Sequence, residues 1–422
     1  MQKDTIAIHA GYDKKEGWGT MSVPIAQTTA YAFRDAEHAA NLFGLKELGS
    51  IYTRLTNPTT DILEQRYAQL EGGAAAICVA SGQSAIFYAI ANVAEAGDNI
   101  IISDKLYGGA ITLLTHTIKR FGIKAKVFKS ADASNLEELI DDNTKAIFFE
   151  SLSNPQIAIA DVEAIVKVAK KHGVLTVCDN TVATAALFNP IAWGVDVVVH
   201  STSKYTNGQG TAIGGIIVER DGMAEFFKEN SKKYYHFVEP DESYHGLVYT
   251  DVPLPNFCLR IRLNLLRDIG ASQSPLNSWL LLQGLETLTL RVEKHSNSSL
   301  EVAKYLESNP KVKSVNYPGL ESNANYEKAQ KYFKDGKASG LISFEVEDYE
   351  TAKAVIDKAK LFSVVVNIGD SKSLIVHPAS TTHSQLSEEE LIKAGVNPTT
   401  IRLSIGLEDP KDLIEDLEQA LS

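Results

Sequence analysis

The sequence predicts an α/β protein: a mostly parallel seven-stranded sheet in a large domain, joined to a smaller α+β domain at the C-terminal end. Three observations lead there. The chain has 422 residues, long for one compact core and short for three, so two unequal domains are expected. Between residues 74 and 218, short apolar runs alternate with helix-like stretches, each change marked by Gly, Asp, Asn or Ser. Beyond about residue 266 that rhythm gives way to helices mixed with a few strand-like runs.

Taken in order, residues 1–60 show little periodicity and include Pro24 and Pro58, which reads as an arm lying on something else, a neighbouring subunit being one candidate. Residues 61–265 form the expected large domain. Its seven runs are Ala74–Val79, Asn99–Ser103, Ala125–Lys129, Lys145–Glu150, Val174–Asp179, Asp196–His200 and Gly214–Glu219. Several are apolar at nearly every position, as strands covered on both faces require. From Glu225 to Cys258 tyrosines and prolines mix with charges, which predicts a long surface insertion with Tyr234, Tyr235, Tyr244 and Tyr249 as candidate gating residues or ordinary packing. Residues 266–422 make the second domain, with a helix over Leu276–Lys294 and strand-like runs at Leu341–Glu347 and Ile401–Ile405.

Bulk properties narrow the function classes. A formal charge of −12 argues against a general nucleic-acid binder, which needs a surplus of Lys and Arg on some face. Three cysteines, Cys78, Cys178 and Cys258, lack C-x-x-C spacing, which suits a reducing compartment. The N-terminus has no uninterrupted apolar stretch of the secretory kind, and no window approaches 18 apolar residues. A soluble, cytoplasmic protein is expected, with small-molecule substrates and neither nucleic acid, membrane nor metal as partners.

In open α/β sheets ligands collect beyond the carboxyl ends of the strands, and the unusual residues fall there. The fourth run ends Glu150-Ser-Leu-Ser-Asn154-Pro155, the fifth Asp179-Asn180-Thr181, and the sixth Ser201-Thr-Ser203-Lys204-Tyr205. A lysine at a buried strand end is pushed toward the neutral amine, the form that attacks an aldehyde to make a Schiff base. An aspartate on the next strand end could face a protonated pyridine nitrogen. The same pair also reads as a solvated lysine at a loop mouth and a helix-capping aspartate. Ser81-Gly82-Gln83 opens a helix after the first run, where free N–H groups bind phosphate or a serine simply caps. No G-x-G-x-x-G follows that strand, which disfavours a dinucleotide site.

With these motifs in view, the whole chain resembles the cystathionine γ-synthase-like family of fold-type-I pyridoxal-phosphate (PLP) enzymes, the Cys/Met metabolism group. The stretch Ser201–Tyr205 matches the family's cofactor-lysine signature, preceded in order by Asp179-Asn-Thr and Glu150-Ser-x-Ser-Asn-Pro155. The resemblance implies that Lys204 carries the cofactor and moves protons between Cα and Cβ, while Asp179 pairs with the pyridinium nitrogen. Ser201, Ser203 and the N–H groups of Gly82 and Gln83 would hold the phosphate, and Asn154 would sit near the ring's 3-oxygen. Tyr107 would stack on the ring. Tyr52 and Arg54 would reach the phosphate of a neighbouring subunit, which implies active dimers, arranged as a tetramer. Lys204, Tyr107 and Tyr52 are the expected catalytic residues. Arg402, helped by the backbone near Ser373, would grip the substrate α-carboxylate.

Within the family, the chain length, the 225–260 insertion and the phrases Gln283-Gly-Leu-Glu-Thr-Leu288 and His377-Pro-Ala-Ser-Thr-Thr-His383 resemble the O-acetylhomoserine sulfhydrylases. That implies γ-replacement of an O-acylated homoserine by sulfide to give homocysteine, in methionine biosynthesis. Acetyl or succinyl leaving groups, and sulfide, methanethiol or a sulfur-carrier protein as donor, all stay open. His377 and His383 read equally as packing residues. Methionine γ-lyases carry a cysteine where this chain has Gly109, and cystathionine γ-synthases are usually shorter. Aminotransferase activity is a further rival within the fold type. A non-catalytic PLP-binding structural or regulatory role is the alternative of a different class, and the intact set Lys204, Asp179, Tyr107 and Arg402 argues against it.

Overall fold

A computed structural model describes residues 1–15, 19–381 and 397–422. The seven apolar runs form one sheet: β1 (Ala75–Val79), β2 (Asn99–Ser103), β3 (Lys124–Phe128), β4 (Thr144–Glu150), β5 (Leu175–Asp179), β6 (Val197–His200) and β7 (Gly215–Glu219). Their order across the sheet is β1-β7-β6-β5-β4-β2-β3. All neighbours are parallel except β7, which runs antiparallel to both β1 and β6. Strands β2 and β4 are buried at every position, as a sheet sandwiched between helical layers demands.

Local signals fix the helices. Asn57 caps the helix Pro58–Glu71 by accepting from the Thr59 and Thr60 N–H groups, with Pro58 at its first position, where a missing N–H costs nothing. Ser81 caps Gly82–Ala91, and Asp161 caps Val162–His172. Chain reversal after β3 returns β4 to the sheet interior, so the carboxyl ends of β4, β5 and β6 stand side by side. This is where an open α/β sheet leaves a crevice.

The second sheet has order β10-β11-β12-β9-β8, built from β8 (Ser314–Asn316), β9 (Leu341–Glu345), β10 (Ser363–Val364), β11 (Leu374–Val376) and β12 (Thr400–Ser404). Helices Tyr349–Lys358 and Pro410–Leu421 cover it, and its core begins at Val302. Leu281, Leu285, Leu288 and Val292 belong instead to the large-domain core, where helix Pro275–Glu286 packs on Pro58–Glu71. The connecting helix Leu288–Ser308 therefore serves both cores.

The stretch expected as a surface insertion differs from that reading. Phe227, Tyr234, Phe237, Tyr249 and Phe257 are fully buried, with Phe227 and Phe237 stacked at 3.8 Å. The Tyr234 hydroxyl donates to the Lys145 carbonyl at 2.7 Å and accepts from the Leu175 N–H at 2.8 Å. Those residues begin β4 and β5, at the opposite end of the sheet from the crevice. Tyr234 and Tyr249 are thus core residues and not gates; their scattered spacing hid an aromatic cluster that fills space without helical or strand periodicity. Among the described residues, no helix is long and apolar enough to cross a membrane.

Candidate active site

Strand register brings the motif residues together. Glu150 pairs with Asp179 across β4 and β5, and Asp179 pairs with Val199 across β5 and β6. The Thr181 N–H donates to Asp179 Oδ1 at 2.9 Å, and the Thr181 hydroxyl accepts from the Ser201 N–H at 2.8 Å. Desolvation raises the Asp179 pKa, while hydrogen bonds from Thr181 and the charge of His200 pull it down. None of the ion pairs among the described residues engages Asp179. A carboxylate so placed is ready to meet a cationic ring nitrogen.

Lys204 lies in the turn that follows β6. Its Nζ donates to Asn367 Oδ1 at 2.5 Å. Burial, then the charge of Arg402, pushes its pKa down, which favours the amine that can act as nucleophile or base. Arg402 sits on β12, where Nη1 donates to Asn154 Oδ1 at 2.9 Å and Nη2 to the Asn367 carbonyl at 3.1 Å. Burial lowers its pKa to about 10, so it is still a cation near neutrality. Its Nε has no partner, and both of its acceptors are neutral oxygens. A largely buried guanidinium without a carboxylate is costly alone and well suited to an anionic ligand.

The crevice also offers a phosphate cradle. Helix Gly82–Ala91 starts against the Ser201 loop so closely that a Cβ on Gly82 would lie 2.6 Å from Ser201 Cβ and 3.0 Å from its Oγ. Only glycine permits that approach. The first N–H groups of a helix, here those of Gly82 and Gln83, have no intrahelical acceptor. Ser203 is less free: its hydroxyl bonds the Gly214 N–H at 3.0 Å and the Gly214 carbonyl at 3.2 Å. Helix N–H groups with a serine hydroxyl, an unpaired aspartate on the next strand and a desolvated lysine amine match the phosphate, ring nitrogen and aldehyde of pyridoxal phosphate.

Tyr107 is half exposed at the mouth of the crevice, ahead of the helix Gly108–Thr112. Glu150 holds it there. Glu150 Oε1 accepts from the Tyr107 N–H at 2.6 Å and Oε2 from the Asn154 N–H at 3.1 Å, which ties the backbone of both residues to the end of β4. Burial, then the nearby Asp179 charge, raises the Glu150 pKa well above the carboxylate range. Gly109 packs under the Tyr107 ring: a Cβ there would lie 2.5 Å from the ring and 2.7 Å from Gln83 Nε2. Any side chain at 109 therefore displaces one of these groups.

The structure thus groups Lys204, Asp179, Ser201, Ser203, Gly82, Gln83, Asn154, Tyr107 and Arg402. It does not add Ser373, whose N–H and hydroxyl both donate to Glu408, at 2.7 and 2.8 Å. Asn367 is the residue beside Arg402 instead. The signal for Asn367 and Glu150 was weak, because each acts through contacts between distant segments. Tyr52 and Arg54 contact none of the grouped residues; they lie on the arm, where the Arg54 guanidinium sits 5.0 Å from the Tyr52 ring centre. His377 bonds the Pro398 carbonyl at 2.7 Å and Ser380 Oγ at 2.9 Å, a packing role, and His383 lies outside the described residues.

Residues 4–422 match the family described as Cys/Met metabolism PLP-dependent enzyme. The chain is 47% identical to an O-acetyl-L-homoserine sulfhydrylase of Leptospira meyeri, covering 99% of this chain and 96% of that one. It is 44% identical to a homocysteine synthase of Schizosaccharomyces pombe, over 99% and 97% of the two chains. A crystal structure of a Campylobacter jejuni chain assigned as O-acetylhomoserine (thiol)-lyase superposes with a TM-score of 0.97 at 56% identity, covering 100% of both chains. That structure contains N'-pyridoxyl-lysine-5'-monophosphate.

Proposed function

The chain belongs to the Cys/Met metabolism PLP-dependent enzyme family, and from that premise we propose that it converts O-acetyl-L-homoserine and sulfide to L-homocysteine and acetate in methionine biosynthesis. The observation that carries this reading is full-length likeness to sulfhydrylases together with an undamaged crevice: Lys204 desolvated, Asp179 unpaired and Arg402 without an anion. When bound, pyridoxal phosphate supplies the electron sink that makes loss of the substrate Cα proton possible.

The chain's residues do the rest. Lys204 Nζ takes the Cα proton and returns protons along the carbon chain as base and acid. Asp179 faces the ring nitrogen, Ser201, Ser203 and the Gly82 and Gln83 N–H groups hold the phosphate, and Tyr107 covers the ring. With its Oδ1 taken by Arg402, Asn154 would have its Nδ2 left to offer the ring's 3-oxygen. Arg402 grips the α-carboxylate beside Asn367. The γ-acetoxy group leaves as acetate and sulfide adds in its place.

Gly109 favours this reading over a methionine γ-lyase, because it leaves no thiol beside the Tyr107 ring and Gln83. The purified, PLP-loaded protein should form homocysteine from O-acetylhomoserine and sulfide, with little 2-oxobutanoate from methionine. Faster release of 2-oxobutanoate and methanethiol from methionine would make it a lyase. O-succinylhomoserine in the same assay separates the two leaving groups.

Tyr52 and Arg54 complete the phosphate site of a neighbouring subunit, in a dimer that pairs into a tetramer. The arm's exposed apolar residues support this: Met21, Phe43 and Leu48 are 76%, 54% and 70% exposed in a single chain. Arg54→Ala is expected to weaken retention of pyridoxal phosphate roughly 10- to 100-fold, the worth of one charge-assisted contact. Dialysis followed by absorbance would show it, with the gel-filtration volume unchanged; wild-type retention would remove the case for a contact across subunits. A reducing cytoplasm suits the three cysteines, all buried and unpaired.

A further inference from the structure

The turn that carries Lys204 ends on a buried cation that the proposed chemistry leaves unused. Residues 201–208 wind as a short helical turn: the Asn207 N–H donates to the Thr202 carbonyl at 3.0 Å and the Gly208 N–H to the Lys204 carbonyl at 2.8 Å. Gly208 ends it in the left-handed conformation, with φ at 72°. The carbonyls of Tyr205 and Thr206 then have no following backbone donor, as in the last turn of a helix. Arg291 supplies the donors instead, Nη1 to the Tyr205 carbonyl at 2.7 Å and Nη2 to the Thr206 carbonyl at 3.2 Å. No other group among the described residues donates to either carbonyl.

Arg291 is itself fixed. It lies on the connecting helix Leu288–Ser308 with 8% exposure; its Nη2 also donates to the Gly284 carbonyl at 2.6 Å, and its Nε to the Thr287 hydroxyl at 3.1 Å. Burial lowers its pKa to about 10, so it stays a cation near neutrality, yet none of the ion pairs among the described residues engages it. A guanidinium withdrawn from water without a carboxylate needs oriented carbonyl dipoles around it, and the C-terminal end of a helical turn offers them. Two glycines make the room. A Cβ on Gly208 would lie 2.2 Å from Arg291 Nη1, and one on Gly284 would lie 2.3 Å from the Thr206 carbonyl oxygen. The end of the turn is tied a second time: the Ser371 N–H donates to the Gly208 carbonyl at 2.8 Å, from the segment that holds Asn367, the acceptor of the Lys204 amine.

Resting on the cofactor reading above, we propose that Arg291 is a positioning residue for Lys204: its guanidinium fork locks the two carbonyls that follow the lysine, and so fixes the turn from which Nζ reaches the cofactor aldehyde and the substrate Cα proton. Its hydrogen bonds go to the turn, to Gly284 and to Thr287, and to no side chain of the crevice. Proton transfer by a side chain depends steeply on distance and angle, so a turn free to shift slows the step that Lys204 performs without emptying the site.

The test uses the full-length, cofactor-loaded protein and Arg291→Met, which keeps an unbranched stem in the same space and removes the fork. O-acetylhomoserine is mixed rapidly with the enzyme in the absence of sulfide, and the rate constant of the change in cofactor absorbance is read at saturating substrate. Unlike the amplitude, that rate constant does not depend on what fraction of the protein is folded, so a merely structural role leaves it unmoved. It should fall about 10- to 100-fold, the cost of a misplaced catalytic group, and fall further with substrate deuterated at Cα, while KM and retained cofactor stay close to wild type. A wild-type rate constant in the variant, or a slowing that deuterium does not deepen, would overturn the proposal. If the thermal midpoint shows that Arg291→Met does not fold, Arg291→Lys keeps the buried cation without the fork; a smaller drop of the same kind is expected, and a wild-type rate constant overturns the proposal. A wild-type protein that takes up no pyridoxal phosphate would instead overturn the cofactor reading, and this proposal with it.

Discussion

Lys204→Ala should lose the visible absorbance of the lysine-linked cofactor and at least about four decades of turnover, or about 5.5 kcal/mol of barrier lowering. The size follows from two roles lost together. Lys204 is the amine desolvated beside Arg402 among the grouped residues, and its Nζ is held by a neutral acceptor, Asn367, so no carboxylate keeps it protonated. Truncation removes the group that bonds the aldehyde and the base that takes the Cα proton. The fold should persist, since the lost amine makes no ion pair and its hydrogen-bond partner is the neutral Asn367, and the thermal midpoint should stay close to wild type. Absorbance spectra and single-turnover rates check both statements. A variant that keeps its absorbance and its rate would show that another lysine carries the cofactor.

Arg402→Ala should reduce kcat/KM on the order of 100-fold, mostly through KM, while cofactor content is retained. A charge-assisted contact with a carboxylate is worth about 3 kcal/mol when both partners are withdrawn from water, which is that factor. The guanidinium is largely buried, its Nε is unsatisfied, and its two partners are the neutral oxygens of Asn154 and Asn367. An arriving carboxylate relieves an existing cost as well as making new bonds. Arg402→Lys should recover little, because a point charge does not reproduce the planar fork. Steady-state kinetics with O-acetylhomoserine settle the matter: an unchanged KM would place the carboxylate elsewhere.

The strand runs and the chemistry at their ends were legible in the sequence. Runs such as Asn99–Ser103 and Lys145–Glu150 are apolar at successive positions, and such a run between helices has only the covered interior of a parallel sheet as its place. Asp179 stood out because it ends an apolar run where the strand leaves the core, and Lys204 because it lies in the polar turn just past the end of the next one. The aromatic cluster around Tyr234 was misread, since side chains that fill a cavity from several short turns leave no period to detect.

What the sequence by itself determined is therefore the mostly parallel sheet, the order of its motifs and the polar residues at its strand ends, whose roles toward pyridoxal phosphate were implied by a family resemblance. These follow from local burial and from spacing along one strand or turn. Only the tertiary structure decided that Asn367, 163 residues from Lys204, receives its amine, that Glu150 holds Tyr107, and that Glu71 lies against His200. Such pairs are fixed by which strands become neighbours and by the need of each buried polar group for a partner. Neither leaves a mark on the residues adjacent in sequence.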